Sequence, residues 1–179
     1  MKAFATALLV CVAACGQGRA IFNVDVYSFL QGTGRDTFPY VIPPSLSTTV
    51  NTVQKVSLPP GFGSSGVDSV RITSGNVTLV NDSGAGSIGI SVYFAGDSAG
   101  TYSAPAALTI SPTAVSGADT VAVPISGDIS AVVDSLFNQS VLWVRIEATG
   151  QNSSLTQTAG GTGILTALMI RVVLQDKVF

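Results

Sequence analysis

Along most of this chain apolar and polar residues alternate with a period of two. From Ile88 to Phe94 the order IGISVYF puts Ile88, Ile90, Val92 and Phe94 on one face and Gly89, Ser91 and Tyr93 on the other. That is the pattern of a strand with one side on a core. Ile21–Leu30 begins the same way, with Phe22, Val24 and Val26 set against Asn23 and Asp25, and Val50–Leu58, Ala107–Ile110 and Thr120–Ile125 read as further strands. Val67–Val80 is longer. Its pairs Val70/Ile72 and Val77/Leu79 differ by an odd number of positions, so the alternation slips near Ser74-Gly75, where a β-bulge or a turn is expected. Residues 31–49 carry three prolines and three turn-forming Gly or Asp residues, which excludes a central strand or a helix.

One segment changes period. In residues 126–138 the apolar positions Ile129, Val132, Val133, Leu136 and Phe137 follow i, i+3, i+4, i+7, i+8, the stripe of a helix. Ser126 reads as its N-cap and Asp128 stands in the first turn, where a negative charge favours the helix dipole. A three-turn helix crossing the end of the fold is predicted. Gln139–Ala148 then returns to strand, with Leu142, Val144 and Ile146 inward and Trp143, Arg145 and Glu147 outward. The last strand, Gly163 to about Gln175, is apolar on both faces, with Ile164, Leu168, Ile170 and Val172 on one and Leu165, Ala167, Met169 and Val173 on the other. It is either a central strand covered on its second face, or the source of an exposed patch of Trp143, Leu165 and Met169 that faces a partner protein. The exposure of Trp143 separates the two.

Together these elements predict an all-β protein, an antiparallel, Greek-key-like β-sandwich of about seven to nine strands, with one short crossover helix near residues 127–137. The length of 179 residues suits about one domain with a substantial core. Only 10% of residues are charged, against roughly 25% in ordinary domains, while 21 Ser and 17 Thr supply the polar surface as hydroxyls. A net charge of −2 gives no basic surface for nucleic acid.

The chemistry on offer is sparse. The chain has no histidine and only two cysteines, Cys11 and Cys15, so His-based nucleophile activation and His- or Cys-based zinc sites in the folded part are excluded. Glu147 is the one glutamate beside nine aspartates, and its place on the strand face of Arg145 predicts a cross-strand surface ion pair. The glycine-rich stretches 32–34, 84–86 and 160–163 lack the strand and helix context of a phosphate loop. Asp82 and Asp97, at equivalent ends of one presumed hairpin strand, are the candidate Ca²⁺ ligands. The sequons at Asn76, Asn81, Asn138 and Asn152 follow from the abundance of Ser and Thr. Nothing points to a cofactor.

The amino terminus is an address. Lys2, an apolar run from Ala3 to Val12 and the small pair Ala13-Ala14 follow the order of a secretory signal, and the run is too short for a spanning helix, which needs ~20 apolar residues. Val12-Ala13-Ala14-Cys15 resembles the lipobox of bacterial lipoproteins. The resemblance covers the signal segment only, and no family is recognised for the mature domain. It implies that residues 1–14 are a signal peptide, that Cys15 becomes the first mature residue and carries diacylglyceryl and palmitate-type chains, and that Cys11 leaves with the signal. Residues 15–20 are then a lipidated cysteine with a short tether, and residues 21–179 a single β-sandwich domain. Two or three acyl chains anchor stably where one does not. Losing Lys2 leaves seven basic against ten acidic residues, a net charge of −3.

The implied location is the bacterial cell envelope, extracytoplasmic, at the periplasmic or outer-membrane face. Membrane lipid through Cys15 and another envelope or membrane protein are the expected partners. The expected function is a non-catalytic structural or interaction protein, an accessory subunit of a membrane complex. The alternative is a glycan-binding or adhesin-like module, with Phe38, Tyr40, Phe62 and Tyr102 as loop aromatics for sugar stacking. A carboxylate-dependent hydrolase comes third.

Overall fold

The computed structural model describes residues 19–58 and 66–175. The signal and lipobox residues, with Cys11 and Cys15, and the aromatic Phe62 lie outside the described residues. The described strands are β1 Arg19–Asp25, β2 Thr37–Ile42, β3 Ser47–Ser57, β4 Gly66–Ser83, β5 Ala85–Ala95, β6 Leu108–Ser116, β7 Asp119–Asp128, β8 Val141–Gln151 and β9 Ala159–Gln175. They form two antiparallel sheets packed face to face, the β-sandwich that the alternation predicts.

The first sheet runs β2-β9-β4-β7, and β1 pairs with the other half of the same flank of β9; the second runs β3-β8-β5-β6. Pairing is nested: β2 with β9, β3 with β8, β4 with β7 and β5 with β6. The chain is thus one long hairpin folded over itself, the strand order of an eight-stranded jelly roll built from two Greek keys. β1 and β2 act as two halves of one edge strand. The chain leaves the flank of β9 after Asp25, opposite Met169, and rejoins it at Thr37, opposite Ile164. Pro39 is tolerated in β2 because an edge strand needs ladder bonds on one side only.

The inward residues form one core. Ile88, Ile90, Val92 and Phe94 of β5 interleave with Leu142, Val144 and Ile146 of β8, facing Val70, Ile72, Val77 and Leu79 of β4. The slip expected at Ser74-Gly75 is present: the register of β4 against β7 shifts between Ile72 and Gly75. A Cβ at Gly75 would stand 2.7 Å from Ile125 Cβ, so the bulge depends on a bare backbone there.

Two elements differ from expectation. The three-turn helix is shorter: an α-helical turn α1, Ser130–Val133, continues as a 3-10 turn over Asp134–Asn138. Ser126 is not its N-cap but part of β7, because Gly127 and Asp128 still pair with Ile72 and Arg71 of β4. Asp128 does the capping instead, its Oδ1 accepting from the Ser130 backbone N–H at 3.1 Å. The stripe itself holds, since Ile129, Val133 and Phe137 are buried. In β9 the register against β4 shifts between Leu165 and Ala167. That bulge reverses the parity, so Leu165 joins Leu168, Ile170, Val172 and Leu174 in the core, while Met169 stays on the outer face.

The aromatics of β2 are core residues. Phe38 lies opposite Gly163 and Tyr40 opposite Gly161, each ring occupying space that a side chain on β9 would fill. A Cβ at Gly163 would come 2.1 Å from the Phe38 ring. Gly163→Ala is therefore expected to cost about 1–3 kcal/mol through overpacking, a melting point lower by several degrees. Combining it with Phe38→Leu should recover part of the loss in thermal unfolding. An unchanged melting point in the single variant would refute this account of the pair.

Tyr40 also carries a pH dependence. Its hydroxyl donates to Asn81 Oδ1 at 3.0 Å, and burial, then the nearby Asp82 charge, raise its pKa above the ordinary tyrosine value. The unfolded chain ionises this group near pH ~10, the folded chain only above that. The stability linked to the protonated phenol is complete below pH ~10 and is lost as pH rises through the higher folded value. The melting point of the native chain relative to Tyr40→Phe should hold steady at neutral pH and fall in strongly alkaline buffer. Parallel melting curves across that range would contradict it.

Candidate functional site

The outer face of the second sheet carries the densest grouping of functional side chains. Along β8 the even positions 142, 144, 146 and 148 point into the core, so Trp143, Arg145, Glu147 and Thr149 point out. In register with them stand Ala95, Tyr93, Ser91 and Gly89 of β5 on one side and Lys55, Val53 and Asn51 of β3 on the other. Although it is on an outward face, Arg145 is only 4% exposed. The segment after β5 folds back over it through a 3-10 turn, Ala99–Tyr102, which Asp97 fastens by accepting the Gly100 N–H at 2.7 Å.

The Arg145 guanidinium is clasped on two sides. It lies 3.6 Å from the centroid of the Tyr93 ring and 4.8 Å from that of Tyr102. Its Nε donates to the Thr101 carbonyl at 3.0 Å, and its Nη1 pairs with the Glu147 carboxylate. The other oxygen of Glu147 accepts from the Tyr93 hydroxyl at 3.1 Å, and the Tyr102 hydroxyl donates to Asn51 Oδ1 at 3.1 Å. A charge removed from water is tolerable only when paired and hydrogen-bonded, and here the carboxylate, a carbonyl and two ring faces share that role.

Both oxygens of Glu147 are engaged, so the carboxylate is positioned as a counter-ion instead of pointing at open space. What faces solvent is Tyr102, 59% exposed, and the half-buried Trp143, with the exposed Lys55 and Asn51 of β3 beside them. Farther along the sheet, a shallow recess of about 210 Å³ opens over Gly89, beside Ser91, Thr109, Pro112, Thr149 and Gln151.

The residues singled out from sequence scatter over the molecule. Trp143 lies on this face, Met169 on the outer face of the opposite sheet, and Leu165 in the core between them, so the three form no common patch. Of the candidate stacking residues, Tyr102 is exposed, whereas Phe38 and Tyr40 are buried strand residues instead of loop aromatics. Asp82 and Asp97 stand at opposite ends of β5, whose 11 residues span about 36 Å. No cation could join them, and among the described residues no group of three or more His, Cys, Asp or Glu could hold a metal. The ion pair of Glu147 exists but runs along one strand, two residues apart, and is buried instead of a cross-strand surface pair. Tyr93 and the covering turn were not legible as partners, although the outward placement of Tyr93, Arg145 and Glu147 was.

No protein-family model and no curated protein matches the chain. Among solved structures, the infectious bursal disease virus Gx strain is similar over 89% of this chain and 36% of that chain, at 8% identity and a TM-score of 0.43. T=1 particles derived from the same virus give 0.40 at 8% identity, over 89% and 36%. Dimeric latent PorU from Porphyromonas gingivalis gives 0.34 at 12% identity, covering 79% of this chain and 13% of that one. The chain thus spans little more than a third of the viral chains it matches, and the jelly-roll assignment stands on its own strand order.

Replacing Arg145 tests the clasp. Arg145→Met leaves Glu147 without its cation and removes what holds the 96–107 segment to the sheet, an expected loss of about 3–5 kcal/mol for a broken buried pair. Arg145→Lys should recover little, because an ammonium cannot bridge both ring faces, the carbonyl and the carboxylate as a planar fork does. Denaturant unfolding with limited proteolysis reads both effects. Native stability together with an uncleaved segment 96–107 in Arg145→Met would overturn the assignment.

Proposed function

We propose that this chain is a non-catalytic, lipid-anchored structural or interaction protein of the bacterial envelope, an accessory subunit that presents the outer face of its second sheet to another envelope protein. The locked cluster around Arg145 carries the reading. It fixes two tyrosines and a tryptophan-bearing strand in place at no ordering cost on binding, and rigid aromatic surface is what interface centres favour. Its one glutamate is committed to Arg145 and Tyr93, which argues against general acid-base work.

The anchor reading rests on Val12-Ala13-Ala14-Cys15 and on spacing. Arg19 opens β1 four residues after Cys15, so a lipidated Cys15 would stand within about 14 Å of the sheet. No helix among the described residues is long and apolar enough to cross a membrane. Mass spectrometry of the mature protein should find a diacylglyceryl-modified Cys15 at the amino terminus. An intact Met1 or an unmodified Cys15 would overturn the anchoring.

A second reading, a glycan-binding module, is favoured by the exposure of Tyr102 on the face that also carries the recess over Gly89. A photoreactive residue at position 102 decides between them. A discrete protein adduct in intact envelopes, lost in Trp143→Ala, supports the partner surface. Absence of any protein adduct, together with glycan-array binding abolished by Tyr102→Ala, would replace it with the glycan reading.

A further inference from the structure

The opposite face of the molecule carries an unexplained pair of arginines. Arg171 of β9 and Arg71 of β4 are direct cross-strand partners, and both project outward and exposed, because the residues on either side of each along its strand are buried. Like charges placed directly opposite each other destabilise a sheet. Arg71 is balanced by Asp128 of β7, which accepts from its Nε and Nη2 at 3.0 Å each. Arg171 has no ion-pair or hydrogen-bond partner among the described residues; its neighbour on β1 is the neutral Asn23. Between the two guanidinium-bearing positions lies a recess of about 170 Å³, lined by Ser69, Arg71, Arg171 and Val173.

The surroundings point to the kind of anion. One register step toward the start of β1, the outward row holds Ile21, 53% exposed, beside Val173 and Ser69. At its end stands Arg19, paired with Asp68 at 3.2 Å. Of the acidic groups near Arg171, Asp128 is bound to Arg71, Asp68 to Arg19, and Asp25 accepts from the Ser28 N–H. Among the described residues Arg171 is therefore the cation of this patch without a partner, set between the Arg71–Asp128 and Arg19–Asp68 pairs and the aliphatic Ile21 and Val173, on the sheet whose β1 opens four residues after Cys15. A soluble anion needs only the arginines, whereas an exposed isoleucine next to them suits the boundary between phosphate headgroups and acyl chains.

We propose that Arg171 and Arg71, with Ser69, bind the phosphate of an anionic phospholipid in the anchoring membrane, so that the outer face of the first sheet lies against the bilayer. The proposal rests on the lipid-anchored reading for its geometry. Arg171 can offer its open guanidinium edge to a phosphate with parallel N–H···O bonds, while Arg71, whose Nε and Nη2 hold Asp128, adds its remaining Nη1 N–H.

Flotation of the unacylated full chain, as Cys15→Ser, with vesicles of phosphatidylcholine alone or with added phosphatidylglycerol tests it, with Arg171→Gln in the same background. The apolar amino-terminal run is common to both proteins and cancels in the comparison. Tighter binding to the anionic vesicles is expected, screened by salt, and lowered roughly fivefold by Arg171→Gln, with the melting point unchanged. No lipid preference, or a preference indifferent to Arg171→Gln, overturns the proposal. So does inorganic phosphate bound in calorimetry without a vesicle preference, which would mark a site for a free anion. Mass spectrometry of native Cys15 separates the two readings. An acylated Cys15 without headgroup preference sinks this proposal alone, and an unmodified Cys15 with that preference sinks the anchor alone.

Discussion

The structure hangs on β9. Over its 17 residues it pairs with β4 along one flank and with β2 and then β1 along the other, so it is the strand that closes the first sheet. This arrangement forces β9 to be apolar on its inner face over a length few strands reach. It also makes the outer face half-covered by neighbours on both sides, which is why the sequence there is hydrophobic in both parities. The nested pairing of β2 to β9 is long-range by construction, and every inner residue of β5 and β8 has its partner supplied from distant sequence. Folding then has to bring β1 and β2 to β9 before the core of the first sheet exists.

What periodicity can report is the side of a strand, and it did so wherever a strand was regular. The inward set of β5 and that of β8 came directly from alternation, and the slip at Ser74-Gly75 was visible because two regular stretches met out of phase. Parity fails where a bulge lies inside an unbroken apolar run. At Leu165 to Ala167 both faces were hydrophobic, so nothing in the residue types marked the extra position, and Leu165 was placed on the wrong side. The helix was overlong for a related reason. Its stripe was correct, but pairing of Gly127 and Asp128 with β4 extends β7 and leaves only one α-helical turn before the chain must re-enter the second sheet.

The candidate sites were less legible than the fold because they depend on what covers a side chain, and coverage comes from loops. Phe38 and Tyr40 stand amid prolines and turn residues, which made them read as loop aromatics. Their real determinant is the pair of glycines 125 and 121 positions downstream, counting from Phe38 to Gly163 and from Tyr40 to Gly161. Arg145 was correctly outward, yet a 3-10 turn from the next connection lies over it and converts a surface pair into a buried one. A lone outward arginine in a strand otherwise poor in charge is the one sequence signal that could have prompted a search for its cover.

The few charges of this chain are divided by face, and that division bears on how a small sandwich could serve two contacts at once. On the second sheet the arginine is consumed internally, and the surface left over carries the aromatic Tyr102 and Trp143 with the exposed Lys55 beside them. On the first sheet the arginines stay outside, and among the described residues two of them are balanced by aspartates and one is left over. The two outer faces are separated by the full thickness of the sandwich, roughly 10 Å between the sheets plus the side chains on each. Binding on one therefore neither blocks nor electrostatically opposes binding on the other. On the proposed reading the tether fixes which face is which. Leaving from the edge of the first sheet, it keeps that sheet near the lipid and turns Trp143 and Tyr102 away from it. A hydroxyl-rich surface suits that geometry, because with only 10% of residues charged each exposed cation, Arg171 on one face and Lys55 on the other, stands out against it.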